Sequence, residues 1–431
     1  MTRLRSRLPR ASVFVATILL LSGVALARPP ATETWVGTWA SSQQIPEPHN
    51  ALAPDDLRDA TLRQIVHLTI GGKELRVHLS NAFGTAPLHI SAVHIARPLS
   101  RSTGNIDAST DRALTFSGRP DVTIPAGAEY ISDPVSYPVV AFDDLAISFY
   151  LETPPDVQTS HPASRATSFI VHGNQVSAAN LQDAKQIDHW FQISGIDVMA
   201  LPQAAAIVTL GDSITDGRGS TTNGNDRWPD DLARRLQASR ATRTLSVLNV
   251  GTGGNRLLLD GLGPNALARF DRDILAQAGA RYLIVYEGIN DLGTLTIDHE
   301  VSPDQHQALV RQMIGAYEQI MVRAHAHGIR VLGATITPDM GFAYYHPTAA
   351  NEADRQAVNA WIRTPGHVDA VVDFDKVVRD PAHPDQLLPA YDSGDHLHPT
   401  PAAYRAMADA IPLLFFSHVK GRNDHPRPRK H

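Results

Sequence analysis

No cysteine occurs among the 431 residues. A disulfide framework is therefore excluded, lipid attachment to a cysteine is excluded with it, and stability must come from burying a core. Positive charge is in deficit: 38 Lys and Arg face 44 Asp and Glu, a formal net charge of −6. Proteins that neutralise phosphates need the opposite balance, which argues against nucleic acid as the main partner. One local exception is the ending "KGRNDHPRPRKH", basic, Pro-containing and without apolar periodicity. It reads as a disordered tail over 419–431. Long apolar runs are nearly absent as well. The clearest, "ASVFVATILLLSGV", is too short to span a bilayer comfortably. It follows Arg3, Arg5, Arg7 and Arg10 and precedes "ALA" at Ala25–Ala27, the layout of a signal peptide over residues 1–27. Cleavage would lower Lys+Arg from 38 to 34, move the formal charge from −6 to −10 and leave no membrane-inserted segment. The expected location is secreted or periplasmic.

What is present divides into two patterns. From Trp35 to about Ile196 the period is that of strands. In "QIVHLTIGGKELRVHLS", Val66, Leu68 and Ile70 alternate with His67 and Thr69; beyond Gly71-Gly72, Leu75, Val77 and Leu79 alternate with Arg76 and His78. That pattern predicts a hairpin closed by a two-glycine turn, with His67 and His78 exposed on polar faces. "DLAISFYLE" repeats the signal, and residues 28–200 are expected to form a β-sandwich accessory domain. From about Leu201 apolar strands alternate with helices. "AAAIVTL", "LSVLNV", "RYLIVYEG", "RVLGATI" and "VDAVVDF" read as strands. "RWPDDLARRLQ" and the long "SPDQHQALVRQMIGAYEQIMVRAHAHG" read as helices, the latter capped by Ser302 with Gln305 and stopped at Gly328. A last helix follows Thr400-Pro401. Continuous apolar strands separated by helices predict an α/β domain over 201–418, a parallel sheet covered on both faces, with its site where strands give way to loops.

Four polar blocks fall at those ends: "GDSITDG" (211–217), "NVGTGGN" (249–255), "GIND" (288–291) and "DSGDHLHP" (392–399). A serine hydroxyl reacts only when a base takes its proton. An Asp three residues before a His can fold back onto Nδ1 and leave Nε2 free, which selects Asp395 and His398 for Ser213. Attack on an ester also needs donors for the oxyanion. A glycine turn around Gly254 and the side-chain amide of Asn290 are candidates, although "GTGG" offers Gly251 and Gly253 too. Asp212 and Asp216 read as supporting residues that brace the serine loop; with Asp291 and Asp395 they could instead form a magnesium site for phosphoryl transfer. "NVGTGGNRLL" fails as a dinucleotide loop, because Arg256 stands where the third glycine belongs. No G-x-S-x-G elbow occurs. Tyr344 and Tyr345 read either as pocket-lining residues or as a surface turn.

Taken together and in this order, the four blocks resemble the SGNH (GDSL) hydrolases over roughly residues 204–414. The resemblance implies a flavodoxin-like three-layer α/β/α fold, with Ser213 as nucleophile, His398 as general base and then acid, and Asp395 orienting it. It implies an oxyanion hole from the Ser213 N–H, the Gly254 N–H and the Asn290 amide, with neither metal nor cofactor. "WVGTWASS" and "LSNAFGTAPL" are similar to a secreted subgroup that carries a β-domain before the hydrolase. The expected activity is that of an exported serine esterase on small-molecule or polysaccharide esters, with short acyl or acetyl groups on carbohydrate. A lipase or lysophospholipase is the enzymatic alternative, mildly disfavoured because no long apolar lid segment is visible. A carbohydrate-binding protein with a dead hydrolase domain would have lost a catalytic residue, and none is lost.

Overall fold

Alternating apolar positions in residues 34–200 are satisfied by two antiparallel sheets facing one another. The computed structural model describes residues 33–417, which fall in one compact unit; the expected signal segment and basic tail lie outside the described residues. One sheet orders its strands as Lys185–Ile187, Ser168–His172, Ala60–His67, Asp144–Leu151, Ala92–Pro98 and Ile106–Ala113. The other runs Thr34–Ala40, Ile193–Ala200, Gly72–Ser80 and Glu129–Ile131, with Val135–Val139 also paired to Gly72–Ser80. Leu145, Ile147, Phe149 and Leu151 on one sheet and Leu75, Val77 and Leu79 on the other are fully buried, as the period requires.

The expected hairpin at Gly71-Gly72 is not there. Ala60–His67 pairs with Asp144–Leu151 and Ser168–His172, whereas Gly72–Ser80 pairs with Ile193–Ala200, so the two strands enter opposite sheets. Neither glycine has a positive φ, which a tight hairpin turn needs. They are glycines because of close approach: a Cβ on Gly71 would stand 2.4 Å from the Val139 carbonyl oxygen, and one on Gly72 2.7 Å from that of Met199. The histidines also differ from expectation. His67 binds Asp144 at 2.7 Å, and His78 lies between Glu129 and Asp197 at 3.0 Å from each; their side chains are only 9% and 12% exposed. Each polar strand position finds a carboxylate on a neighbouring strand, which single-strand periodicity does not reveal.

The second half is a five-stranded parallel sheet ordered Leu245–Gly251, Ala205–Gly211, Ala280–Tyr286, Arg330–Ala334 and Ala370–Val372. In sequence order that is 2-1-3-4-5, the flavodoxin-like arrangement with its switch point beside the first strand. Its strands are buried almost throughout, hence their unbroken apolar sequences. Helices form two packed groups: Trp228–Ala238 with Pro401–Ala410, and Pro303–Ala326 with Ala349–Arg363. The long helix is capped as expected, Ser302 accepting from the Gln305 N–H and Gly328 at φ 70° just past its end. Trp228 is fully buried at the head of its helix, edge-on to Phe374.

The two architectures share one continuous apolar core. Thr34–Ala40 packs on Leu245–Gly251, the edge of the parallel sheet. Thr69 accepts from the Val247 N–H at 3.1 Å, and the Gly37 N–H donates to the Ala278 carbonyl at 2.9 Å. The antiparallel half thus covers an open sheet edge. Among the described residues no helix is long and apolar enough to cross a membrane.

Candidate active site

The first parallel strand ends at Gly211, and the chain turns directly into the short helix Ser213–Asp216. Asp212 is its N-cap and accepts from the Ile214 N–H at 2.8 Å. Ser213 is the first residue of that turn, so its N–H has no acceptor within the helix. Its Oγ lies 2.8 Å from His398 Nε2. His398 Nδ1 lies 2.7 Å from Asp395 Oδ2, and the other Asp395 oxygen accepts from the His398 N–H at 2.8 Å and the Leu397 N–H at 3.1 Å. Asp395 therefore holds both the ring and the backbone of its histidine. Partial burial pushes the Asp395 carboxyl up, but the hydrogen bonds from the His398 ring and backbone outweigh it and hold it well below the usual range. Burial pushes the His398 imidazole down; Asp395 opposes that, and the Arg218 and Arg165 charges add to it. The balance favours a neutral ring able to take a proton. His396, two residues away, turns to Asp392 at 2.7 Å and stays out of the relay.

A cavity of about 340 Å³ opens over Ser213 and His398, with Gly254 and Asn290 in its wall. Gly254 adopts φ 67°, a left-handed conformation suited to glycine, and its N–H makes no hydrogen bond among the described residues. Asn290 is buried on the helix Ile289–Thr296. Its Nδ2 donates to the Asn255 carbonyl at 2.8 Å, and its Oδ1 accepts from the Tyr345 hydroxyl at 2.8 Å. Those two bonds fix which way the amide faces and leave one N–H unused. Burial pushes the Tyr345 phenol up to about 12, so it keeps its proton and donates. Of the two tyrosines left open by the sequence, Tyr345 is 4% exposed and braces Asn290, whereas Tyr344 is 64% exposed at the cavity rim.

The carboxylates near the serine do not converge on a common point. Asp212 caps its own helix; Asp216 meets His161 Nε2 at 2.9 Å; Asp291 accepts from the Leu257 and Leu258 N–H groups at 2.8 and 3.0 Å; Asp395 holds His398. Among the described residues no group of three or more His, Asp or Glu could hold a metal ion. Burial pushes Asp212 up to about 7, backbone donation from Ile214 opposing and the Asp291 charge reinforcing it. Burial likewise pushes Asp291 up to about 6 against its two backbone donors. Asp212 holds its own loop through a backbone N–H, whereas Asp216 is turned to a side chain of the antiparallel half.

Three contributors were not visible in the sequence. Arg269, fully buried, donates to the Gly211 and Val250 carbonyls and to Asn255 Oδ1 at 2.6–3.0 Å, tying the first two strand-end loops together. His161 comes from the antiparallel half; its Nδ1 faces the Ser42 carbonyl at 2.6 Å and its Nε2 holds Asp216. Ser42, also from that half, donates to Asp273 at 2.6 Å. In sequence these are a helix arginine, a histidine in a two-residue strand and the last serine of "WVGTWASS", and only chain folding joins them to the site.

Residues 207–411 match the family of GDSL-like lipases and acylhydrolases. No curated protein sequence matches the chain. Among solved structures, the chain is similar to a GDSL-like lipase from Bacteroides thetaiotaomicron VPI-5482, with 19% identity over 49% of this chain and 87% of that one, at a TM-score of 0.35. It is also similar to an acetylxylan esterase from Geobacillus stearothermophilus, solved as a catalytic mutant, with 18% identity over 48% and 91% of the two chains and a TM-score of 0.36.

Proposed function

We propose that this chain, a carboxylic ester hydrolase whose residues 207–411 belong to the GDSL-like lipase and acylhydrolase family, is an exported serine esterase acting on short-chain or acetyl esters of carbohydrate. The observation that carries the mechanism is the unbroken relay from Ser213 through His398 to Asp395, at 2.8 and 2.7 Å, opening on one cavity. Ser213 Oγ attacks the ester carbonyl while His398 Nε2 takes its proton. The carbonyl oxygen, now an anion, is held by the Ser213 N–H, the Gly254 N–H and the spare Asn290 N–H. His398 returns the proton to the departing alcohol. A water activated by His398 then attacks the acyl-enzyme, and the acid leaves with Ser213 restored. Asp395 stays ionised throughout and holds the imidazolium that forms in each half-reaction.

Short acyl groups are supported by the modest cavity, near the lower end for small-molecule sites. Export is supported by the basic start, apolar run and "ALA" ending of residues 1–27. Carbohydrate is supported by export, an acidic surface and exposed Tyr344, whose ring can lie against a sugar. Leu262, 47% exposed at the same rim, favours the second reading, a lipase or lysophospholipase. An acyl series from acetyl to palmitoyl, run with and without Ser213→Ala, tests both. We expect acetyl and butyryl esters to be hydrolysed fastest and the variant to lose at least about 10⁴-fold in kcat. Preference for palmitoyl would move the assignment to lipase, and full activity of the variant would end the serine mechanism.

A further inference from the structure

The cavity over Ser213 carries more positive charge than the esterase reading uses. Three arginines line it: Arg165 from the antiparallel half, Arg218 five residues after the nucleophile, and Arg256 beside the Gly254 turn. This contrasts with a chain that is acidic overall. The two carboxylates in the same wall are already engaged, Glu47 accepting from Asn50 at 2.9 Å and Asp216 from His161. Of the three, among the described residues only Arg218 approaches a carboxylate, 3.9 Å from Asp395, with its side chain 59% exposed. The Arg165 side chain has neither hydrogen bond nor ion pair among the described residues, and its Nε is buried without an acceptor. Arg256 makes one long bond, 3.4 Å to the Asp260 carbonyl, and its Nε is likewise buried and unpaired. Two guanidinium groups in one cavity wall, neither with a carboxylate partner among the described residues, leave their charge available to an anion there. All three share the cavity wall with Ser213 and His398.

We propose that the cavity selects esters bearing a carboxylate close to the scissile bond, such as acetylated uronate sugars, and that Arg165 and Arg256 bind that carboxylate. The proposal rests on the esterase reading above and adds the substrate class. A planar carboxylate suits two guanidinium forks, each able to donate twice. It also gives the antiparallel half a chemical role, since Arg165 is its positively charged contribution to the pocket wall.

The test is a matched pair: an acetylated galacturonate glycoside with its carboxylate free, and the same glycoside with that carboxylate methyl-esterified. We expect the free acid to be deacetylated with a kcat/KM at least about tenfold higher at low salt, the preference shrinking as salt rises. Arg165→Gln and Arg256→Gln should each collapse that ratio toward one, and Arg165→Glu should invert it, with folding checked by thermal melting. Equal rates on the pair in the wild type, or a ratio unmoved in both glutamine variants, would overturn the proposal while leaving the esterase reading intact. Failure to hydrolyse either member or any simple acetate ester would instead remove the esterase reading itself. A stronger preference for a lysophospholipid, whose anion is a phosphate, would overturn the carboxylate assignment in favour of a phosphate.

Discussion

The two halves meet at one site but contribute in different ways. The parallel-sheet half supplies every group that would exchange a proton or touch the oxyanion: Ser213, His398, Asp395, Gly254 and Asn290. The antiparallel half supplies no such group, yet it holds the site from outside. His161 grips Asp216, Ser42 grips Asp273, Gln44 accepts from Thr252 at 2.8 Å, and Arg165 enters the cavity wall. An accessory domain tethered by a linker would leave catalysis intact on removal. Here a shared core and buried polar links make the antiparallel half part of the enzyme's structure.

Short of removing the nucleophile, the largest effect should come from breaking the oxyanion hole of the chemical half. Asn290→Ala removes one proposed oxyanion donor, and we expect kcat on an acetate ester to fall by about 10²–10³-fold, equivalent to about 2.7–4 kcal/mol, with KM little changed. An unchanged kcat would take the amide out of the oxyanion hole. Stability should also drop, because the variant leaves the Tyr345 hydroxyl and the Asn255 carbonyl without their partner.

The halves differ equally in what their sequences revealed. Parallel strands between two helix layers are buried on both faces, so "AAIVTLG" and "LIVY" stand out as continuous apolar runs, and the crossover rule leaves few ways to connect them. The four polar blocks stood out because each sits at a strand end with a residue type that only chemistry or a turn requires. In the antiparallel half the alternation located the strands correctly but did not choose their partners. Val66 and Leu75 show the same inward face whether their strands pair or cross to opposite sheets, and Gly71-Gly72 looked like a turn when it marks backbone crowding. His161 was illegible for a related reason. Nothing near "SHPAS" shows that it ends beside a carboxylate 55 residues away in the chain.

A smaller effect should come from cutting the link between the halves. His161→Ala leaves Asp216 buried without its partner, and we expect a stability loss of about 1–3 kcal/mol in chemical denaturation. A double-mutant cycle with Asp216→Asn tells whether the loss belongs to the pair. A coupling energy of about 0.5–3 kcal/mol would locate it in the His161–Asp216 bond, whereas additive losses would mean that this bond does not join the halves and that the apolar core and the other polar links do.

The smallest expected effect tests positioning within the chemical half. Tyr345 touches no reacting atom in the proposed mechanism; its hydroxyl holds Asn290 Oδ1, and that bond decides which face of the amide is turned to the cavity. Tyr345→Phe keeps the ring, which packs edge-on to Phe342 at 5.3 Å between centroids, and deletes the hydrogen bond alone. A lost neutral bond of this kind is worth about 0.5–1.5 kcal/mol. If the bond only stabilises the fold, the melting temperature falls and kcat does not. If it orients the oxyanion donor, kcat falls by about three- to tenfold while KM holds, and the loss vanishes in the Asn290→Ala background, where there is no amide left to orient.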